Sequence, residues 1–375
     1  MKRTAVIMAG GSGERFWPLS RRTKPKQLLN LETDKTMLEQ SIERISPLIA
    51  PEDIYIITSE ILLEPIRLAL PVLPPENVIA EPYKRNTAPC LALAAAFIKA
   101  KYSANFKPEE ISIAVLTADQ SIRPMTGFIA TVDSALNYVE SNKALGTIGI
   151  YPSRPETGYG YIEVSENFNF QSNEPEIKSV LKFHEKPQLE QAKIYAESGK
   201  FLWNSGMFFW RLDTFADELI SCLPEVGDKI NDMCNSLIHE TNIVHSTSLK
   251  AIDEVYSFFP DISIDYGLME KASKVVVARA LFYWDDIGSW DSLDRIKPHD
   301  DNGNIVQGFT ALHNVTNTTV VNQSRHNNII VSAIGLDNFV IVVTDDAILV
   351  TPKEKVQEVK KCVEKIRSIN GEKWL

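Results

Sequence analysis

Short Val/Ile/Leu-rich runs alternate with amphipathic segments through the first 150 residues, and this alternation constrains the fold more than any other feature. Runs at 4–8, 54–58, 78–80, 111–116 and 146–150 read as strands. Each is a brief, continuous apolar stretch, as a sheet covered on both faces requires. Between them, segments 37–49, 62–70, 88–100 and 128–139 read as helices; in the first, Leu38, Ile42, Ile45 and Ile49 recur at helical spacing. The pattern predicts an α/β chain on a mostly parallel sheet, with ligands beyond the carboxyl ends of its strands.

From residue 151 to about 290 further strand-like runs, at 161–164, 179–183, 206–210 and 275–278, mix with helices. They read as an extension of the same domain that closes over a second substrate. After about residue 302 the texture changes. Turn residues separate short runs at 319–321, 329–331, 339–343 and 348–350, which predicts a small, solenoid-like β-module. Pro352 then precedes an amphipathic helix expected over 354–366.

Charge narrows the partners. Against 49 Asp and Glu stand 39 Lys and Arg, a net charge of −10, so neither nucleic acid nor an anionic membrane is expected as a partner. A small polyanion needs only a few well-placed cations. The four cysteines, Cys90, Cys222, Cys234 and Cys362, have no metal-binding spacing and read as reduced thiols. The apolar start at 5–9 is too short for a signal peptide, and no run approaches the ~20 residues of a membrane helix. A cytoplasmic protein is expected.

The first strand runs into Gly10-Gly11-Ser12-Gly13-Glu14-Arg15, with Lys24 and Lys26 soon after. Glycines let the backbone approach an anion, and successive N–H groups can cradle phosphate oxygens. Phe16 stands where a dinucleotide fingerprint needs its last glycine, and the Walker spacing is absent too. A plain strand-to-helix turn is the bland alternative; the clustered cations in an acidic chain favour phosphate.

Continued through Phe16-Trp17-Pro18-Leu19-Ser20-Arg21 to Lys24-Pro25-Lys26-Gln27, this run resembles the signature of the sugar-1-phosphate nucleotidyltransferases. Its Trp-Pro-Leu-Ser-Arg continuation is similar to that of the mannose-1-phosphate guanylyltransferases. The resemblance implies a Rossmann-like catalytic domain, expected over 1–298, and a small β-helix-like module with its terminal helix over 299–375. It implies Arg15 and Lys26 as catalytic residues, with Gly10, Gly11, Ser12 and Gly13 on the nucleotide.

Later motifs follow in the family's order. Glu81 to Pro89 resembles a Glu-x-x-x-Arg-Asn-Thr-Ala-Pro motif, which implies nucleotide recognition by Glu81, Arg85, Asn86 and Thr87. Asn86 and Thr87 could equally cap a helix. Asp119, at a strand's carboxyl end, suits nucleotide and a hard cation such as Mg²⁺; the flanking Thr117 and Gln120 depart from the family's Pro-Ala-Asp-His. Gly160, Glu185, Lys186, Asn204 and Asp265 match sugar-phosphate segments, with His184 in place of the usual apolar residue before Glu185. In Trp284-Asp285-Asp286-Ile287-Gly288-Ser289-Trp290 the second metal ligand falls on Asp286 rather than Asp285.

The implied reaction joins GTP and mannose 1-phosphate to give GDP-mannose and pyrophosphate. Two other readings stay open within this class: another sugar 1-phosphate, such as a manno-heptose 1-phosphate, or another nucleotide. A metal-dependent glycosyltransferase and a non-catalytic regulatory homologue are readings of other classes. The resemblance also implies homodimer contacts through the β-module. The isomerase domain of longer, bifunctional members is not matched, so a single activity is expected.

Overall fold

The computed structural model describes residues 1–238, 250–324 and 329–375. Two compact units result: Met1–Ala9, Ser41–Thr117 and Ile122–Trp284 form one, and Gly10–Gln40, Ala118–Ser121 and Asp285–Leu375 the other.

The larger unit is built on a nine-stranded sheet. Its strands lie in the order Val78–Glu81, Ile54–Ser59, Lys2–Met8, Ile111–Thr117, Phe201–Arg211, Leu145–Ile150, Val275–Arg279, Ile177–His184 and Tyr161–Val164. The first four pair in parallel, as their continuous apolar runs predict, so Met8, Ser59, Glu81 and Thr117 end on one edge. The long strand Phe201–Arg211 is antiparallel to both of its main neighbours, so the middle segment extends the sheet in mixed orientation. Helix Thr87–Tyr102 is apolar nearly all round and correspondingly buried. It shares a core with Val6, Tyr55, Val115, Phe208 and Trp210.

In the smaller unit, strands Ile305–Gln307, Thr319–Asn322 and Phe339–Val343 stack in parallel, and Ile348–Pro352 closes the sheet antiparallel. A second ladder pairs Thr310–His313 with Val331–Ile334. One offset relates Thr310 to Val331 and Thr319 to Val340. The same step separates the left-handed corners Asn317 and Asn338, and Asn314 and Gly335. This is a β-helix-like coil whose repeat lies in its corners rather than in a sequence motif.

Two expected boundaries moved. The run expected at 329–331 pairs only from Val331, because Asn322 Nδ2 donates to the Ile329 carbonyl at 2.7 Å and holds it in a corner. The expected 354–366 helix begins as a tight 3₁₀ segment, Lys353–Glu358, before the α-helix Val359–Ser368. A 3₁₀ turn eclipses residues three apart, which puts Val356 and Val359 on one buried side.

An apolar core runs through this unit beside a smaller one, of Val315, Val320 and Ile341 among others, inside the coil. The larger core joins Phe16, Trp17 and Leu29 of the glycine-rich segment to Ile287 and Trp290, to Val321, Val340 and Val342 of the coil, and to Val356, Val359 and Val363. Phe16 packs on Trp290 with ring centroids 5.2 Å apart, and Trp17 Nε1 donates to the Trp374 carbonyl at 2.8 Å. Among the described residues no helix is long and apolar enough to cross a membrane, and all four cysteines are free.

Candidate active site

The glycine-rich segment belongs to the smaller unit. Gly10, Gly11 and Ser12 are exposed, so their backbone is open to a ligand. Gly13 takes the left-handed conformation, φ 61°, and caps the short turn Glu14–Phe16. That turn buries Phe16 and leaves Arg15 half-buried beside it. A Cβ on Gly13 would come within 2.8 Å of the Lys26 backbone nitrogen, so glycine is required by conformation and by space. Lys24 is exposed, and its backbone pairs with that of Arg21.

Lys26 is 6% exposed and its ammonium has two partners. It donates to Asp119 Oδ2 at 2.9 Å and to the Asp286 carbonyl at 2.7 Å. Thus Arg15, Lys26, Asp119 and Asp286 come together in one unit, although Lys26 and Asp286 lie 260 residues apart. Burial and then the nearby Asp119 and Asp285 push the Asp286 carboxyl up to about 6, against the pull of Lys26 and Arg15. An additional cation would relieve that excess of negative charge.

Asp285 has a different task. It is 1% exposed, pairs with Arg295 and accepts from the Ile287 N–H at 2.9 Å. Ile287, itself fully buried, is held at φ 44°, a costly conformation for a β-branched residue. The strained turn places the Asp286 Oδ2 and the Arg15 Nη1 each 3.5 Å from where a Gly288 Cβ would stand. Among the described residues no group of three or more His, Cys, Asp or Glu side chains could hold a metal. Two carboxylates fit Mg²⁺, which commonly takes its other oxygens from substrate phosphates and water.

The sugar-side residues gather in the larger unit. The ladder between Phe201–Arg211 and Leu145–Ile150 slips between Thr147 and Gly149, and Gly206 there takes φ 71°. Such a bulge re-aims a side chain. Ser205 Oγ donates to the Ile148 carbonyl at 2.7 Å, and Thr147 Oγ1 to that of Met207 at 2.9 Å, so the irregular backbone is satisfied. Asn204 is held at both ends: its Oδ1 accepts from the Gly206 N–H at 3.1 Å, and its Nδ2 donates to Asp265 Oδ1 at 2.8 Å. Its backbone N–H donates to the Gly160 carbonyl at 2.8 Å.

A Cβ on Gly160 would lie 2.6 Å from Glu185 Oε2, so glycine lets that carboxylate close in. Lys186, at φ 45°, donates to Glu185 Oε1 at 2.7 Å, and this bond raises its ammonium pKa. Burial raises the Asp265 carboxyl and Glu185 adds to it, while Asn204 and Lys186 oppose. The structure therefore brings together Gly160, Glu185, Lys186, Asn204 and Asp265. They form an acceptor-rich cluster with one exposed ammonium, suited to hydroxyls and a phosphate.

The 81–88 segment is tied to the same unit more structurally. Asn86, at φ 66°, caps helix Thr87–Tyr102 by accepting from the Thr87 N–H at 2.9 Å. Thr87 Oγ1 accepts from the Ile264 N–H at 2.7 Å, next to Asp265, and Arg85 donates to the Ser257 carbonyl at 2.6 Å. Burial pushes the Glu81 carboxyl up to about 7, against a 2.6 Å hydrogen bond from the Tyr256 hydroxyl. His184 bridges Glu163, at 2.8 Å, and the Tyr195 hydroxyl, at 3.1 Å, which accounts for a polar residue at this apolar position of the motif.

Sequence reasoning missed Tyr256, Ser289 and Gln357. Gln357 meets Arg15 at 3.1 Å and Ser289 at 2.7 Å, yet stands in a helical segment with no motif to mark it.

Residues 4–303 match the nucleotidyl transferase family, and residues 316–366 match the MannoseP isomerase/GMP-like beta-helix domain. Mannose-1-phosphate guanylyltransferase of Salmonella montevideo is 38% identical over 375 residues, 98% of this chain and 74% of that protein. The enzyme of the same name from Escherichia coli (strain K12) is 37% identical over 368 residues, 97% of this chain and 73% of that protein. The crystal structure of mannose-1-phosphate geranyltransferase from Thermus thermophilus superimposes with a TM-score of 0.83 at 29% identity, over 98% of this chain and 100% of that one. The chain belongs to the nucleotidyl transferase family, with a β-helix-like module following its family domain.

Proposed function

We propose that this enzyme transfers GMP from GTP to mannose 1-phosphate, releasing pyrophosphate and giving GDP-mannose. The observation that carries the reading is Lys26, whose ammonium joins the Asp119 carboxylate to the Asp286 carbonyl beneath Gly13. The choice of mannose rests on relatives named for that activity at 32–38% identity.

The chemistry is dominated by like charges. A phosphate oxygen of the sugar phosphate attacks the α-phosphorus, a new O–P bond forms, and the bond to the bridging oxygen breaks. The electron pair leaves with pyrophosphate. The nucleophile is ionised near neutral pH, so no general base is needed. Two anions must nevertheless meet at near-attack distance. Arg15 and Lys26 hold negative charge on the triphosphate and the leaving group, with the backbone of residues 10–13, exposed at 10–12, as the cradle. Lys186 holds the attacking phosphate, while Glu185, Asn204 and Asp265 take sugar hydroxyls. Glu81, Arg85, Asn86 and Thr87 serve the nucleotide. Mg²⁺, when bound by Asp119 and Asp286, supplies charge neutralisation on the phosphates.

Pyrophosphate release tests the reading. The full chain with Mg²⁺ is given GTP, ATP, UTP or dTTP, each with mannose, glucose or a manno-heptose 1-phosphate. GTP with mannose 1-phosphate is expected to give the highest kcat/KM; preference for any other pair would overturn the assignment. Asp286→Asn is expected to abolish turnover or displace its Mg²⁺ dependence, and an unchanged titration would remove Asp286 from the metal site.

A further inference from the structure

We propose that Gln357, on the 3₁₀ segment Lys353–Glu358 after the coil, is a positioning residue that sets Arg15 for the triphosphate. The inference rests on the reading of Arg15 as a triphosphate-binding residue. Phe16 and Val356 are both buried in the core of the smaller unit, and each has its polar neighbour beside it, Arg15 before Phe16 and Gln357 after Val356. Above that shared core the two side chains meet, with Arg15 Nη1 donating to Gln357 Oε1 at 3.1 Å.

The orientation of the Gln357 amide follows from its partners. Arginine can only donate, so it must face the carbonyl oxygen. Ser289 gives its single hydroxyl proton to Asp291, so towards Gln357 it can only accept, and Gln357 Nε2 donates to it at 2.7 Å. A single amide thus spans from Arg15 to the 285–290 turn that carries Asp286. A long, exposed-edge arginine has large rotamer freedom. Holding its guanidinium by a partner that is itself anchored keeps the charge in place before nucleotide arrives.

The test is a double-mutant cycle on the full chain with GTP, Mg²⁺ and mannose 1-phosphate. Gln357→Met keeps side-chain length and removes both hydrogen bonds; Gln357→Ala serves as a second variant, and Tm is recorded for each. Loss of one hydrogen bond to a charged group corresponds to about tenfold in rate. We therefore expect Gln357→Met to lower kcat/KM for GTP about tenfold, with KM for mannose 1-phosphate unchanged. In an Arg15→Ala background it should have no further effect. If Arg15→Ala is impaired and the two losses multiply, Gln357 does not act through Arg15 and this inference fails alone. If Arg15→Ala turns over at the wild-type rate, the role of Arg15 itself fails, and this inference with it.

Discussion

Gly13 and Lys26 are packed so closely that a Cβ added to Gly13 would lie 2.4 Å from the Lys26 Cβ. The glycine is therefore set by the lysine beside it. Gly13→Ala meets both this contact and φ 61°, and the ammonium between Asp119 and Asp286 must shift. We expect kcat to fall about a hundredfold, in line with an angstrom-scale misplacement of a catalytic group, and Tm to fall as well. Steady-state kinetics with a thermal melt would show it; wild-type kcat would refute the coupling.

The bulge at Asn204 makes a separable prediction. Asn204→Ala removes the amide that donates to Asp265 at 2.8 Å and leaves that buried carboxyl with less to oppose its raised pKa. Hydrogen bonds to charged groups are worth about 1.5–3 kcal/mol, so KM for the sugar phosphate should rise some 10- to 100-fold. KM for GTP should stay within a factor of about two of the wild type, inside the scatter of surface-like effects. A shift in the GTP constant alone would contradict the division of roles.

Glu81 predicts a pH dependence. Its folded-state pKa of about 7 stands above the ordinary 4.5, so between these values the folded chain binds more protons than the unfolded one. Stability from this group is therefore present at low pH and lost as pH rises through about 7. Glu81→Gln keeps an acceptor for Tyr256 and removes the titration. Its Tm relative to wild type should rise by about 2–4 °C between pH 5 and pH 8. A pH-independent difference would mean that Glu81 does not titrate in this range.

Much of this was legible because the motifs are contiguous. The run from Gly10 to Lys26, the Asp286 turn and the Asn204 loop each put chemistry-bearing residues next to one another, where resemblance can find them. Motif position separates Asp286 from Asp285, and so does the structure: Asp285 is buried against Arg295, which leaves Asp286 as the proposed metal ligand. Strand Phe201–Arg211 was half legible: its apolar end at 206–210 reads as a strand, whereas Asn204-Ser205 breaks the run because a bulge needs polar, small residues there. Gln357 was not legible at all. An exposed glutamine between Val356 and Glu358 has meaning only once folding sets it beside a residue 342 positions earlier.

That separation also orders the life of the chain. The glycine-rich segment leaves a ribosome well before Trp290, Val356 and Val363, the core partners of Phe16 and Trp17. Until those residues emerge, Phe16 and Trp17 lack much of the core that covers them. Translation by itself cannot deliver a settled glycine-rich loop early. The glycine-rich motif is finished long after it is made, and activity should appear only once Val363 has left the ribosome.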